Sequence, residues 1–245
     1  MILAFTKPPV RRLATVGLVA MLVAACSVPT VPPSPAPSPL DTIPPPAPTY
    51  SLAPSMDASA CPTSAPAAFT STATVTMTTN FGTIVIKVDG SLGPNAAGSF
   101  LALARCGYYN NVIFHRIIAG FIIQAGDGTY GRMPNPTLNV QLGDGGPNWT
   151  ITDDPVKTTY KRGTVAMART GAPNSGNSQF FIVMDDSAQA SLGASSANDY
   201  AIFGNVTSGM DVADKISLVP VGGDANPPTM PLEPIVILGT TVTTP

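Results

Sequence analysis

The chain is poor in charge. Only 11% of its 245 residues are Asp, Glu, Lys or Arg, against about 25% in ordinary soluble domains, so part of it is uncharged spacer or membrane-associated. A formal net charge of -2 offers no basic footprint, and no nucleic-acid partner is expected. Histidine is scarcer still: His115 stands alone beside three cysteines. Zinc sites and imidazole-based triads draw on several clustered ligands or relays, so no metal or other cofactor is expected. Any chemistry must be done with other groups. What remains is a 44% apolar composition, enough for a packed core.

Long hydrophobic runs are also missing. Lys7, Arg11 and Arg12 precede an apolar and small-residue stretch from Leu13 through Ala25, too short for a permanent bilayer span of about 20 residues. Residues 1–25 therefore read as an export signal. Val23-Ala24-Ala25-Cys26 resembles a bacterial lipobox, which implies that Cys26 becomes the acylated N-terminus of an extracytoplasmic protein held to a membrane. An ordinary cleaved signal with a chance cysteine is the plainer alternative. Residues 26–70 follow as a Pro, Ser, Ala and Thr-rich tract, whose composition favours extended polyproline II and reads as a spacer. With Cys26 acylated, Cys61 and Cys106 remain as an even pair in an oxidising compartment. A bridge between them would staple the end of the spacer to the domain.

Residues 71–245 carry a different pattern. Ala73 to Thr78 and Thr83 to Val88 are β-branched runs separated by Thr79-Asn80-Phe81-Gly82, the mark of a hairpin. Pro94 suits a first helical position, and helical spacing continues to a stop at Gly107. Further strands are predicted at 113–118, 121–125, 165–169, 180–184, 201–206 and 234–242, with a second helix from Met210 to Leu218. Many short strands with few helices predict a mostly β, closed barrel whose mouths are plugged by the two helices. Residues 126–162 read as a flexible Gly/Pro/Asn-rich loop. Its Gly126-Asp127-Gly128-Thr129-Tyr130-Gly131 segment matches a dinucleotide glycine pattern, but Met133-Pro134-Asn135-Pro136 forbids the helix such a site needs. Asp153-Asp154 reads as a solvated turn.

Three segments carry a family resemblance. Phe114-His115-Arg116-Ile117-Ile118-Ala119-Gly120-Phe121-Ile122-Ile123-Gln124-Ala125-Gly126-Asp127 resembles the cyclophilin signature, Gly163 to Arg169 leading into Asn177-Ser178-Gln179-Phe180-Phe181-Ile182 resembles that family's other pocket-forming stretch, and Tyr200 to Val206 is the third match. The resemblance implies an eight-stranded antiparallel barrel capped by two helices, with a shallow outer groove for proline-containing peptides. It further implies peptidyl-prolyl cis/trans isomerisation with Arg116 and Gln124 as catalytic residues. Phe121, Ile122 and Phe181 would form the proline pocket, Gln179 would bond the substrate backbone, and Ala168 and Tyr200 would edge the groove. Such a reaction needs no nucleophile, metal or cofactor, because the barrier is amide resonance.

Strand alternation sends Arg116 and Ile118 one way, His115 and Ile117 the other, which makes His115 a packed, hydrogen-bonded structural residue. Phe121 and Phe181 also fit core positions, although Phe180 fits them better. Several positions depart from the family: Arg169 where Asn is common, one residue inserted within Thr170 to Asn174, small and polar residues from Gln189 to Ala197 where many members place a tryptophan, and Tyr200 where eukaryotic members show His. These bear on the family's cyclic-peptide inhibitor more than on isomerisation. The expected clients are exported or unfolded polypeptides at the cell envelope. The competing reading is a noncatalytic module that captures proline-containing segments, for which the charge of Arg116 has no use.

Overall fold

Thr, Val and Ile alternate through the first two apolar runs, and each becomes a strand with one face buried: β1 (Thr72–Thr79) and β2 (Gly82–Asp89). They pair antiparallel without a break from Thr72 opposite Asp89 to Thr79 opposite Gly82. The computed structural model describes residues 50–54, 56, 58–136, 141–193, 200–223 and 229–245. Residues 1–25, read above as an export signal, and Cys26 lie outside the described residues. Helix α1 (Pro94–Arg105) follows, then β3 (Phe114–Ile118), β4 (Ile122–Ala125), β5 (Thr164–Met167), β6 (Phe180–Val183), the single-turn α2 (Gln189–Leu192), β7 (Ile202–Ser208), α3 (Met210–Ser217), the two-residue β8 (Val221–Gly222) and β9 (Met230–Pro231), and β10 (Ile237–Thr243).

Eight strands form one antiparallel sheet in the order β10-β1-β2-β7-β5-β6-β4-β3. The sheet curls until its two edges meet, but they meet at a short seam. An isolated bridge joins Ile113 to Val236, and the Phe114 N–H donates to the Ile235 carbonyl at 2.8 Å. The chain entering β10 carries Pro231 and Pro234, which have no N–H to extend a ladder. The barrel is thus strongly curled, its edges joined over this short seam and not by a continuous ladder, where the sequence predicted full closure.

Helix α1 lacks a side-chain cap at Gly93. Its free N–H groups are met from a distance: the Asp154 carboxylate accepts from Asn95 N at 3.2 Å and Ala96 N at 2.9 Å. That corrects the solvated-turn reading, since Asp154 is buried and completes the positive end of a helix. The buried face of α1 carries Ala96, Ala97, Phe100, Leu101, Leu103 and Ala104 into the interior. There the Phe100 ring lies 4.9–5.3 Å from those of Tyr109, Phe180 and Phe203.

The described part of the Pro-rich region is tied to this domain at several points. Asn111 exchanges two hydrogen bonds with the Ala53 backbone, the Trp149 indole donates to the Pro62 carbonyl, and Cys61 is disulfide-bonded to Cys106, just past α1. No helix among the described residues is long and apolar enough to cross a membrane.

Candidate active site

Strand register assembles the site. Arg116 is opposite Gln124, Gln124 opposite Phe181, Phe181 opposite Ala166, and Ala166 opposite Ile202, one straight row across β3, β4, β6, β5 and β7. The neighbouring row, Ile117, Ile123, Ile182 and Val165, faces the other side and belongs to the barrel interior. A second apolar cluster grows on the outer face from Ile122, Ala166, Phe181, Val183 and Ile202, with Leu192 and Tyr160 buried in it and Phe121, Ala168 and Tyr200 packed at its margin. Above it opens a groove of about 350 Å³ lined by Arg116, Phe121, Ile122, Gln124, Ala168, Phe181 and Tyr200, together with Arg169, Ser191 and Leu192.

All but one of the groove residues expected from the sequence therefore line one cavity. Gln179 sits just behind it, where the Gln124 amide nitrogen donates to Gln179 Oε1 at 3.0 Å. The Arg116 guanidinium donates to Gln124 Oε1 at 3.2 Å. Among the described residues Arg116 has no salt bridge. Burial lowers its pKa from the ordinary arginine value while Tyr200 raises it, and a guanidinium so perturbed is still a cation at neutral pH. Tyr200 stands edge-on to Phe181, ring centroids 5.3 Å apart. Its backbone is clasped by Tyr160: the phenol donates to the Tyr200 carbonyl at 2.7 Å and accepts from the Tyr200 N–H at 2.8 Å.

His115 departs from the expectation. A bulge interrupts the β3–β4 register between Phe114 and Arg116 and leaves His115 unpaired. Phe114 faces the interior while Arg116 faces the groove, so simple alternation fails across these three residues. The imidazole is buried, and among the described residues neither ring nitrogen has a hydrogen-bond partner. Burial dominates in lowering its pKa to about 4; Asp127 pulls the value back up, Arg116 pushes it down, and nearby Gln179 raises it without reaching hydrogen-bond geometry. The hydrogen-bonded structural role is corrected to a packed, neutral one, without a hydrogen-bond partner among the described residues.

Residues 74–242 match the family described as cyclophilin type peptidyl-prolyl cis-trans isomerase. The chain belongs to this family. Over 170 residues the cyclophilin is 39% identical to peptidyl-prolyl cis-trans isomerase B of Escherichia coli, covering 69% of this chain and 98% of that one. It is 36% identical over 166 residues to peptidyl-prolyl cis-trans isomerase cyp18 of Streptomyces antibioticus, covering 67% and 95%. A crystal structure of a Cryptosporidium parvum cyclophilin superposes with a TM-score of 0.58 at 29% identity, covering 71% of this chain and 99% of that one. The same relative was also solved in the presence of the dipeptide Ala-Pro, with a TM-score of 0.57. The protein is a peptidyl-prolyl cis-trans isomerase.

Sequence reasoning missed parts of this cyclophilin's groove wall. Within the stretch read as small and polar, Leu192 is buried and lines the groove, carried there by the single turn of α2. Tyr160, hidden in the long loop, donates its backbone N–H to Gln189 Oε1 at 2.7 Å and so ties α2 to Tyr200. Arg169 folds back on the inserted loop, donating to the carbonyls of Thr170 and Ala172 at 3.1 and 3.2 Å and reaching Asp153 at 3.8 Å. The apolar character of Leu192 was a usable signal, whereas the contacts of Tyr160 span 29 and 40 residues.

Proposed function

We propose that this isomerase binds proline-containing segments in the groove and uses Arg116 as its one catalytic cation, acting on exported polypeptides from a lipid anchor at Cys26. The observation that carries the reading is the placement of a half-buried guanidinium, held by Gln124 and without an ion-pair partner among the described residues, beside the apolar floor of Phe121, Ile122 and Phe181.

Rotation about a prolyl bond faces about 18–20 kcal/mol because resonance shares the nitrogen lone pair with the carbonyl. Twisting the bond localises that pair on nitrogen. A donor already in place stabilises the twisted state more than the planar one and need not reorganise to do so. Arg116 supplies the donor. Phe181, Ile122 and Phe121 hold the proline ring, Gln124 fixes the guanidinium and bonds the substrate backbone, Gln179 supports it from behind, and Ala168 and Tyr200 edge the groove where the chain on either side of the proline passes.

The extracytoplasmic part of the proposal is supported by the basic and apolar N-terminus ending in Ala24-Ala25-Cys26 and by the Cys61–Cys106 disulfide, a bond that persists in oxidising compartments. A protease-coupled assay on an Ala-Pro peptide tests the chemistry: Arg116→Ala lowers kcat/KM on the order of 100-fold, as expected for removal of a preorganised donor. Equal rates in wild type and variant would remove Arg116 from its role. Labelling of cells with radioactive palmitate tests the anchor, with incorporation into the wild type and none into Cys26→Ser; an unlabelled wild type would refute it.

A further inference from the structure

The hydrogen bonds that begin at Arg116 continue beyond Gln179. The Gln179 amide nitrogen donates to the backbone carbonyls of Gly143 and Gly145 at 2.6 and 2.9 Å. The N–H groups of those same glycines donate to Asp127 Oδ2 at 2.7 and 3.2 Å. Its other oxygen accepts from the N–H groups of Thr129 and Tyr130 at 3.0 and 2.8 Å. One carboxylate with no solvent exposure thus takes four backbone N–H groups, and among the described residues it forms no salt bridge.

Every bond in this chain points the same way. A guanidinium has only donors and an ionised carboxylate only acceptors. Gln124 must therefore turn its oxygen to Arg116 and its nitrogen to Gln179. Gln179 must turn its nitrogen to the two carbonyls, which only accept. A single pair of amide orientations satisfies the whole line, with a cation at one end and an anion at the other, and aligned bonds of this kind polarise one another.

The same loop is also tied to Thr129, whose hydroxyl donates to the Gly146 carbonyl at 3.1 Å and accepts from the Gly146 N–H at 3.2 Å. Gly143 has φ +100, a conformation that side-chain-bearing residues rarely adopt. The imidazole of His115 lies against it; its Nε2 would be 3.6 Å from a Cβ on Gly143. A Cβ on Gly145 would lie 2.1 Å from Asp127 Oδ1, so the backbone passes closer to the carboxylate than any other residue permits.

We propose that Asp127 is a positioning residue for isomerisation: by holding the Gly143 and Gly145 carbonyls it orients Gln179, through Gln179 it orients Gln124, and through Gln124 it aims the Arg116 guanidinium into the groove. The inference rests on Arg116 being the catalytic cation. Asp127→Asn keeps the volume but replaces one oxygen by a donor, which faces N–H groups that also donate. The loop then loses its hold at Gly143 and Gly145, and Gln179 its fixed partners.

The test is a double-mutant cycle in the peptide assay on the full chain, using Asp127→Asn, Gln179→Ala and both together, with Arg116→Ala alongside. Asp127→Asn lowers kcat/KM about tenfold, the scale of loss expected for a misplaced catalytic group, mainly through kcat. In the Gln179→Ala background the same change costs less than about twofold, because the link it acts through is already gone. A purely structural carboxylate gives equal losses in both backgrounds, and that result overturns the proposal, as does a folded Asp127→Asn with wild-type kcat/KM. If Asp127→Asn does not fold, Gly145→Ala replaces it in the cycle, since it leaves the carboxylate intact and forces the loop away; the same coupling is expected and additivity again refutes. Full activity of Arg116→Ala sinks the underlying reading, whereas an impaired Arg116→Ala with an unimpaired Asp127→Asn sinks this inference alone.

Discussion

Strand β6 places two phenylalanines side by side, Phe180 and Phe181, and sends them to opposite faces of one sheet. Phe180 joins the interior, 0% exposed, ringed by Phe100, Tyr109 and Phe114. Phe181 joins the outer cluster and is only 2% exposed. Burial hardly separates them. What does is the enclosure: the interior is sealed by α1 and by other strand side chains, whereas the outer cluster is walled by Leu192, Tyr160 and Tyr200, contributed by a short helix and loops, and opens at the groove. The same apolar chemistry stabilises the fold where it is sealed and is available to bind where it is not.

Truncation tests that contrast most strongly. Phe180→Ala opens a cavity in a packed interior and costs about 3–5 kcal/mol, read as a lower urea midpoint. Phe181→Ala leaves space continuous with the groove, which water refills. Its stability loss is expected to be less than half as large, while KM for the Ala-Pro peptide rises. Equal losses of stability from the two variants would erase the distinction between the clusters.

A smaller effect sharpens the comparison at the boundary between the faces. His115 has a pKa of about 4 in the folded protein against 6.5 for the free side chain, so the unfolded chain binds the proton more readily. Its neutral form contributes fully to stability above about pH 6.5, and that contribution is lost as the pH falls toward 4, a total of about 3 kcal/mol. Asp127, Arg116 and Gln179 face the ring, and burial outweighs all three. Urea midpoints at pH 7 and pH 4.5 should diverge further in the wild type than in His115→Phe; identical divergence would mean that the imidazole does not titrate as described.

Much of this was legible in the sequence because it is periodic. β-branched alternation marked β1 and β2, and Pro94 and Gly107 bracketed α1, whereas Arg116 and Gln124, which register brings opposite each other, were singled out by the family resemblance. The features that escaped are not periodic. Parity cannot anticipate the bulge that frees His115 from the ladder. Asp127 stands in a glycine-rich stretch that resembled a flexible loop, and its partners lie up to 18 residues away with nothing local to pair them. Asp154 caps a helix 58 residues earlier in the chain. The seam at Ile113 and Val236 depends on how far the whole sheet curls, to which no single strand bears witness.

The bond between Cys61 and Cys106 also decides where the molecule can be pulled. Tension on the chain ahead of Cys61 does not travel along residues 62–71 to the start of β1, where it would peel that strand from β10 and β2 one hydrogen bond at a time. It passes through the sulfurs to Cys106, at the end of α1, and from there into a helix seated on the interior aromatics. The load path bypasses β1, so a pull from this side does not begin by peeling that strand away.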